Sequence, residues 1–428
     1  MLRQIKFFYR YLVRKKKLLK LNNENILIDN SSNNFSKSNN KGRKILCLYF
    51  DGLPSKPMEL YGGYVPTPNF NRLASSGTNY HNMIVPAPSS AMCITSMFTG
   101  LFPHQFGRRS FSNEDKGLPK DCKPLLNTLQ EDGYELFFLW DESFMDRRSQ
   151  NKYKILNWKN YDINFLDIAD KDIQAVQTKK LLSEIDSKYD NWFCYVRFSD
   201  GASSKYKGSA KNHSPYTFDD EIIEADVILG DLLDSISDDI EIIVFSDHGK
   251  SYGEHGIYKY AFNLSEMSLN VPFITSWGGG QNETNLVSMV DFPSIIMKED
   301  LTNHRYIYAD TGYADQWIRS TMVRKGRWKY VYNRTGWRFP EELYDLKFDP
   351  NELINLVGKH RDPYRDSRPK GDTVDIKNSP SAEVLDGKDV SEIYPRNDWN
   401  RVKRVLKELR LERQRIWEIQ GVDERKYE

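Results

Sequence analysis

The pair Asp247-His248 follows a run of β-branched and aromatic residues, Ile240 to Phe245, and a second histidine, His255, stands seven residues after the first. Zinc and manganese accept a carboxylate and a neutral imidazole as ligands, and neighbouring residues at a strand end can face one cleft. An acid beside an imidazole also suits a catalytic dyad, and an ordinary polar loop has the same sequence. From this pair alone, the metal site, the dyad and the polar loop all stay open.

A second acid favours the metal interpretation. Asp51 ends the apolar stretch KILCLYF and is followed by Gly52, whose missing side chain permits a tight turn. Two aspartates and one histidine from two strand ends form a three-ligand set with an open position for substrate. We therefore expect one divalent metal ion, which would be zinc, manganese or calcium.

Two hydroxyl side chains, Ser89 and Ser90, precede the helical pattern AMCITSMF. A serine in the first turn of a helix lies at the positive end of the helix dipole, where an anion or a phosphorylated side chain is stabilised. The plainer interpretation is that one of these serines only caps the helix, and the local sequence favours it.

The elements that would position these residues alternate between strands and helices. This alternation is typical of a mostly parallel sheet with helices on both faces. Four of the five predicted strands end in an acid, and ligands of open α/β sheets bind at the carboxyl ends of strands. The strands are KILCLYFDG, GYELFFLWDES, NWFCYVRFSDG, DIEIIVFSDHG and NVPFITSWGGG, and the helices are TPNFNRLASSG, CKPLLNTLQEDG and DDEIIEADVILGDLLDSI.

The C-terminal part has a different pattern. Residues 318–347 are typical of short antiparallel strands rich in tryptophan and tyrosine, and residues 397–419 of a charged amphipathic helix. The predicted organisation has three parts: a basic segment and disordered linker over residues 1–43, a catalytic α/β domain over 44–300, and a C-terminal subdomain with a small sheet and a terminal helix over 301–428.

The composition narrows the class of protein. A formal net charge of +1 over 428 residues gives no reason to expect nucleic acid as a partner. The four cysteines lack metal-type spacing, and no apolar run is long enough to cross a bilayer. The first 20 residues carry eight Lys/Arg and no acid, which predicts either a helix on an anionic membrane surface or a frayed basic terminus. We expect a cytoplasmic protein, with peripheral contact at the inner membrane if residues 1–20 bind lipid.

Between Lys44 and Val357 the chain contains, in this order, the segments YVPTPNFNRLASSGTNYHNMIV, SMFTGLFPHQFG, FSDHGKSYGEHGIYK with NVPFIT, IRSTMVRKGRWKYVYN and EELYDLKFDPNELINLV. In sequence and in order these segments resemble those of the sulfatase branch of the alkaline phosphatase superfamily. The resemblance implies an alkaline-phosphatase-like fold. It also implies that Asp51, Ser90, Asp247 and His248 bind a metal ion and that Ser90 is the nucleophile.

The nucleophile segment SAMCI departs from the family's pattern. Formylglycine formation needs Cys or Ser followed by x-Pro-x-Arg, and this chain has Met92 and Ile94 at those positions, so no formylglycine is expected. Other family positions for Lys, His or a second acid are occupied by Asp141, Ser143, Ala202 and Gly52. The remaining set is similar to the single-metal arrangement of the phosphoethanolamine and lipoteichoic-acid transferases.

These expectations combine into a metal-dependent hydrolase or transferase that acts on a phosphate or sulfate ester of a small molecule or glycan. Lys250 and Lys259 would hold the negative oxygens, and His255 would act as the general acid or support another residue. His104 is expected to be structural. The alternative is a pseudoenzyme that keeps the fold and binds a partner or an anionic glycan without turnover, which the missing Lys, Arg and His positions favour.

Overall fold

The computed structural model of the protein describes residues 12, 42–106, 118–140, 161–167, 174–198, 218–251, 263–301, 304–311, 320–333, 341–353, 355–357 and 396–419. The predicted basic helix of residues 1–20 lies outside these ranges apart from Leu12. The predicted linker lies outside them apart from its last two residues, Gly42 and Arg43.

Within the described residues the chain forms twelve strands and eight α-helices. The strands are β1 (Lys44–Phe50), β2 (Thr78–Ile84), β3 (Glu135–Trp140), β4 (Ile163–Asp167), β5 (Trp192–Phe198), β6 (Ile240–Phe245), β7 (Phe273–Thr275), β8 (Gln281–Ser288), β9 (Ile307–Asp310), β10 (Ser320–Lys325), β11 (Trp328–Asn333) and β12 (Glu341–Asp345). The helices are α1 (Pro68–Ser76), α2 (Ser90–Thr99), α3 (Leu125–Glu131), α4 (Gln174–Lys188), α5 (Phe218–Leu233), α6 (Glu266–Leu269), α7 (Phe292–Met297) and α8 (Arg396–Ile419), with 3-10 turns at Glu59–Tyr61 and Met289–Asp291.

The large sheet has eight strands in the order β4-β3-β5-β1-β6-β7-β2-β8. The strands from β4 to β6 in this order pair in parallel, and β7 pairs antiparallel with both β6 and β2. The predicted mostly parallel α/β sheet is confirmed, and so are its five predicted strands and three predicted helices. β2, β4, β8 and α4 were not predicted. Their sequences carry more polar residues than the five apolar strands, and β4 and β8 lie at the two edges of the sheet.

The chain divides into two compact units. The first comprises Met1–His81, Lys123–Asp247 and Pro272–Thr284, and β1 lies in its core. Leu46 and Leu48 pack with residues of α1, α4 and α5 in one apolar cluster. Tyr49 stacks on Phe245 at 5.5 Å between ring centroids and lies 5.7 Å from Tyr195, so aromatic rings fill the space beneath the carboxyl ends of these strands.

The second unit comprises Asn82–Cys122, His248–Val271 and Asn285–Glu428. It contains α2 and a four-stranded antiparallel sheet in the order β12-β11-β10-β9. Helix α8 packs on this sheet, because Val402, Leu409 and Ile416 share an apolar cluster with Val323 and Tyr330. The predicted small sheet and terminal helix are therefore confirmed.

In the described parts of the chain, every helix is too short or too polar to cross a lipid bilayer.

Candidate functional site

The two acids follow the carboxyl ends of two neighbouring parallel strands in the large sheet. β1 and β6 pair in a register that sets Tyr49 opposite Phe245, and Asp51 and Asp247 each follow two residues later. Gly52 turns the chain at once with a φ of 69°, a left-handed conformation that glycine adopts without strain. Its N–H donates to Oδ1 of Asp247 at 3.3 Å, so the turn after one acid holds the carboxylate of the other.

The ligand atoms of Asp51, Asp247 and His248 all lie within 4.8 Å of one another. Asp247 is fully buried, His248 is 1% exposed, and the side chain of Asp51 is 10% exposed. Two carboxylates and an imidazole at this spacing fit a divalent ion such as zinc or manganese. The sequence prediction that these three residues lie together agrees with this geometry.

The hydrogen bonds of His248 identify the nitrogen that carries the lone pair. Nδ1 lies 3.0 Å from the carbonyl oxygen of Gly249, and because a carbonyl can only accept, Nδ1 carries the proton. Nε2 is then the basic atom, as a metal-binding imidazole requires. Nε2 lies 3.2 Å from Oγ of Ser90, whose hydroxyl donates to it.

Ser90 opens helix α2, and Ser89 occupies the N-cap position. Ser89 has extended backbone angles, and its side chain makes no capping hydrogen bond. The side chain of Ser90 instead contacts His248. The plainer interpretation expected one serine to cap the helix, but neither hydroxyl does so. Met92 and Ile94, at the positions where formylglycine formation needs Pro and Arg, are buried apolar residues of α2.

Arg197 is a charged residue that sequence reasoning missed. It lies in β5 beside β1, and its Nη2 forms an ion pair with Oδ2 of Asp51. Its guanidinium carbon lies 6.0 Å from the centre of the Trp140 ring. The only local signal was a single cation inside the apolar strand WFCYVRF, because its partner Asp51 stands 146 residues earlier.

The other predicted site residues have different surroundings. Lys250 is 3% exposed and follows directly after the His248-Gly249 pair. His255 and Lys259 lie outside the described residues, as do Asp141, Ser143 and Ala202. His104 stacks on Phe102 at 5.7 Å, and burial, helped by the charge of Arg415, lowers its pKa to about 4. His104 is thus a neutral ring packed among aromatic side chains.

A family model described as Sulfatase matches residues 43–299, which is more than half of the chain. The chain belongs to the sulfatase family. The match covers β1 to α7 and therefore includes Asp51, Ser90, Asp247 and His248.

Individual relatives of this sulfatase-family chain are distant. It is 26% identical over 164 residues to a choline-sulfatase of Rhizobium meliloti (strain 1021), and the match covers 32% of this chain and 31% of that protein. The chain thus matches about a third of the length of such curated relatives.

Two solved structures show the same fold. One is a 2-O GAG sulfatase, with a TM-score of 0.57, 17% identity and coverage of 74% of this chain and 88% of the other. The second is a phosphonate monoester hydrolase of Agrobacterium radiobacter, with a TM-score of 0.55, 15% identity and coverage of 74% and 91%. At these identities the similarity extends to the fold alone.

Proposed function

We propose that this sulfatase-family protein is a metal-dependent hydrolase or transferase of sulfate or phosphate esters, with Ser90 as its nucleophile. The observation that carries the proposal is the 3.2 Å contact between Oγ of Ser90 and Nε2 of His248, one of three residues whose ligand atoms lie within 4.8 Å of one another. The similarity to a choline-sulfatase and to a GAG sulfatase supports a small alcohol or a glycan as the esterified group.

Asp51, Asp247 and His248 would hold the divalent ion. When bound, such an ion supplies Lewis-acid stabilisation of negative charge on an ester oxygen and lowers the pKa of a neighbouring hydroxyl. Zinc, manganese and calcium are the proposed ions.

Ser90 performs the first chemical step. Its Oγ gives its proton to solvent water and attacks the sulfur or phosphorus atom, while the bond from that atom to the leaving alcohol oxygen breaks. The alcohol takes a proton as it leaves, and the group remains on Ser90 as a sulfoserine or phosphoserine. Water, or an acceptor alcohol in a transferase, then attacks and restores the serine. His255 is the proposed acid for the leaving alcohol, and Lys250 and Lys259 the proposed cations for the negative oxygens.

The N-terminal end of helix α2 points its free N–H groups toward the region of the Ser90 hydroxyl. Ser90 is the first residue of this ten-residue helix, so the N–H groups of the first turn and the positive end of the dipole lie beside the attacking oxygen. A negative charge that develops on an ester oxygen there is stabilised.

The test is a screen of the full-length protein with 4-nitrophenyl sulfate, 4-nitrophenyl phosphate and bis(4-nitrophenyl) phosphate, combined with elemental analysis for bound metal. We expect about one divalent ion per chain and turnover that Ser90→Ala lowers by about 100-fold or more. Ser89→Ala is the matched control. This serine lies directly before Ser90 at the same helix start, is buried, and its Oγ has no hydrogen-bond partner among the described residues.

Two other results would contradict the proposal in different ways. Turnover that survives complete removal of metal by a chelator would assign the chemistry to a metal-free Ser90–His248 dyad. Metal-loaded, folded protein without turnover on any ester would favour the pseudoenzyme. The measurement that then tests the pseudoenzyme is binding of a sulfated glycan without cleavage.

A further inference from the structure

Arg197 and Asp51 form an ion pair next to the proposed metal ligands. In the parallel pairing of β1 and β5, Arg197 stands opposite Tyr49, and Asp51 follows two residues after Tyr49. Residues two apart on a strand face the same side, so the arginine side chain reaches one step along β1 to the acid. Both partners are only 10% exposed, so solvent screens their attraction weakly.

The charges explain why a cation stands here. Asp51 and Asp247 are two carboxylates in one small, buried region, and His248 adds no charge in the tautomer with the proton on Nδ1 alone. Buried carboxylates repel each other and lose hydration unless a cation or hydrogen-bond donors compensate them. Gly52 supplies one N–H to Asp247, and Arg197 supplies a full positive charge to Asp51.

We propose that Arg197 is a resident counter-cation that orients Asp51 in the metal-free protein and limits the affinity of the site for a divalent ion. This inference rests on the proposed metal-dependent function and adds a positioning residue to it. Arginine keeps its proton under all ordinary conditions, so its charge stays beside the site when a second cation arrives.

Arg197 and a divalent ion can contact the carboxylate of Asp51 together, but their positive charges repel each other. A carboxylate has two oxygens, so Oδ2 of Asp51 can stay on the guanidinium while the carboxylate remains aligned. The positive charge of Arg197 nevertheless repels the incoming ion and weakens its binding. A substitution of Arg197 that removes its charge and keeps a hydrogen-bond donor should therefore increase the affinity of the site for the divalent ion.

The experiment is calorimetric titration of metal-stripped, full-length protein with Mn²⁺ and Zn²⁺. Arg197→Gln keeps an N–H donor for Asp51 and loses the charge, so its Kd should fall by about tenfold or more. Arg197→Lys keeps the charge and should stay within about threefold of the wild type. Arg43→Gln is the matched control, because Arg43 pairs with Glu241 and its loss changes the net charge of the chain by the same amount.

The thermal midpoint of the metal-free protein gives a second readout. The midpoint should fall in Arg197→Gln, and metal should raise it more than in the wild type, because the ion replaces the lost counter-charge. Unchanged or weaker metal binding by Arg197→Gln beside normal binding by the wild type would overturn this inference alone. So would a tenfold gain in affinity by Arg197→Lys, a comparison that holds even if the glutamine variant does not fold. Absence of binding by every form would overturn the metal-dependent function as well.

Discussion

Oγ of Ser90 lies 3.2 Å from Nε2 of His248, at the start of a helix whose preceding residue leaves its own hydroxyl without a capping bond. Nε2 has one lone pair, so this atom either accepts the serine proton or binds a cation at any one time. The same contact therefore fits both chemistries considered for the site, and substitutions that separate the two ring nitrogens distinguish them.

His248→Asn separates the roles of the two nitrogens. An asparagine amide can replace the Nδ1–H donor to the carbonyl of Gly249 but leaves nothing at the place of Nε2. We expect bound metal to be lost and turnover to fall by about 100-fold or more, while the free energy of unfolding changes by less than about 1 kcal/mol. Metal analysis, ester hydrolysis and urea unfolding are the three measurements. His248→Gln, which places a polar atom near the position of Nε2, is the control and should keep more metal than His248→Asn.

A buried ionic network in the second unit should contribute strongly to stability. Lys329 is fully buried, with Nζ 3.0 Å from Glu266 and 2.7 Å from Glu352, and Arg324 lies 2.7 Å from Glu266. Lys329→Met leaves two buried carboxylates with one cation, so the free energy of unfolding should fall by about 3–5 kcal/mol.

The control for this network is a lysine on the same sheet. Lys325 pairs with Glu408 at 2.6 Å, but its side chain is 36% exposed. Lys325→Met should lower the free energy of unfolding by less than about 1 kcal/mol, because solvent screens the pair. Equal losses in the two variants, measured by urea unfolding at one pH, would show that burial does not distinguish these ion pairs.

His104 should make stability depend on pH in mildly acidic solution. Burial lowers its pKa from 6.5 to about 4, so the unfolded chain binds more protons than the folded one between these two values. The free energy of unfolding should therefore rise with pH across this window and decrease as the pH falls, by about 3 kcal/mol in total.

His104→Phe fills the same place beside Phe102 and cannot titrate. Urea unfolding at several pH values should show a smaller rise for the variant between pH 4 and 6.5 and parallel curves above pH 7. Identical slopes for the two proteins across the acidic window would contradict the assignment.

Much of the large sheet could be predicted because its central strands are buried on both faces. KILCLYF, WFCYVRF and IEIIVF are nearly continuous apolar runs, and each leads to an acid within two residues. β4 and β8 were missed because edge strands need no such run, and QNETNLVS is as polar as a loop. The apolar residues of α4 recur at helical spacing, so this helix could have been predicted from the sequence.

The candidate site was predictable where its residues adjoin a strand end and unpredictable where it depends on strand pairing. Asp51 and Asp247-His248 could be found because each follows an apolar strand. Arg197 could not, since nothing near it in sequence indicates that β5 pairs with β1 in the register that brings it to Asp51. The roles of His255 and Lys259 stay predictions, as do the domain boundaries and the cytoplasmic location.

The position of β1 at the centre of the sheet determines when the protein can fold during its synthesis. The turn at Gly52 bonds to Asp247, which is 195 residues further along the chain. At ribosomal speeds of about 5–20 residues per second, roughly 10–40 s separate the emergence of these two residues. Throughout that interval the apolar strand KILCLYF lacks β6, one of its two neighbours, so the central pairing of the large sheet cannot form. Any ion that binds through both aspartates is taken up only after this interval has ended.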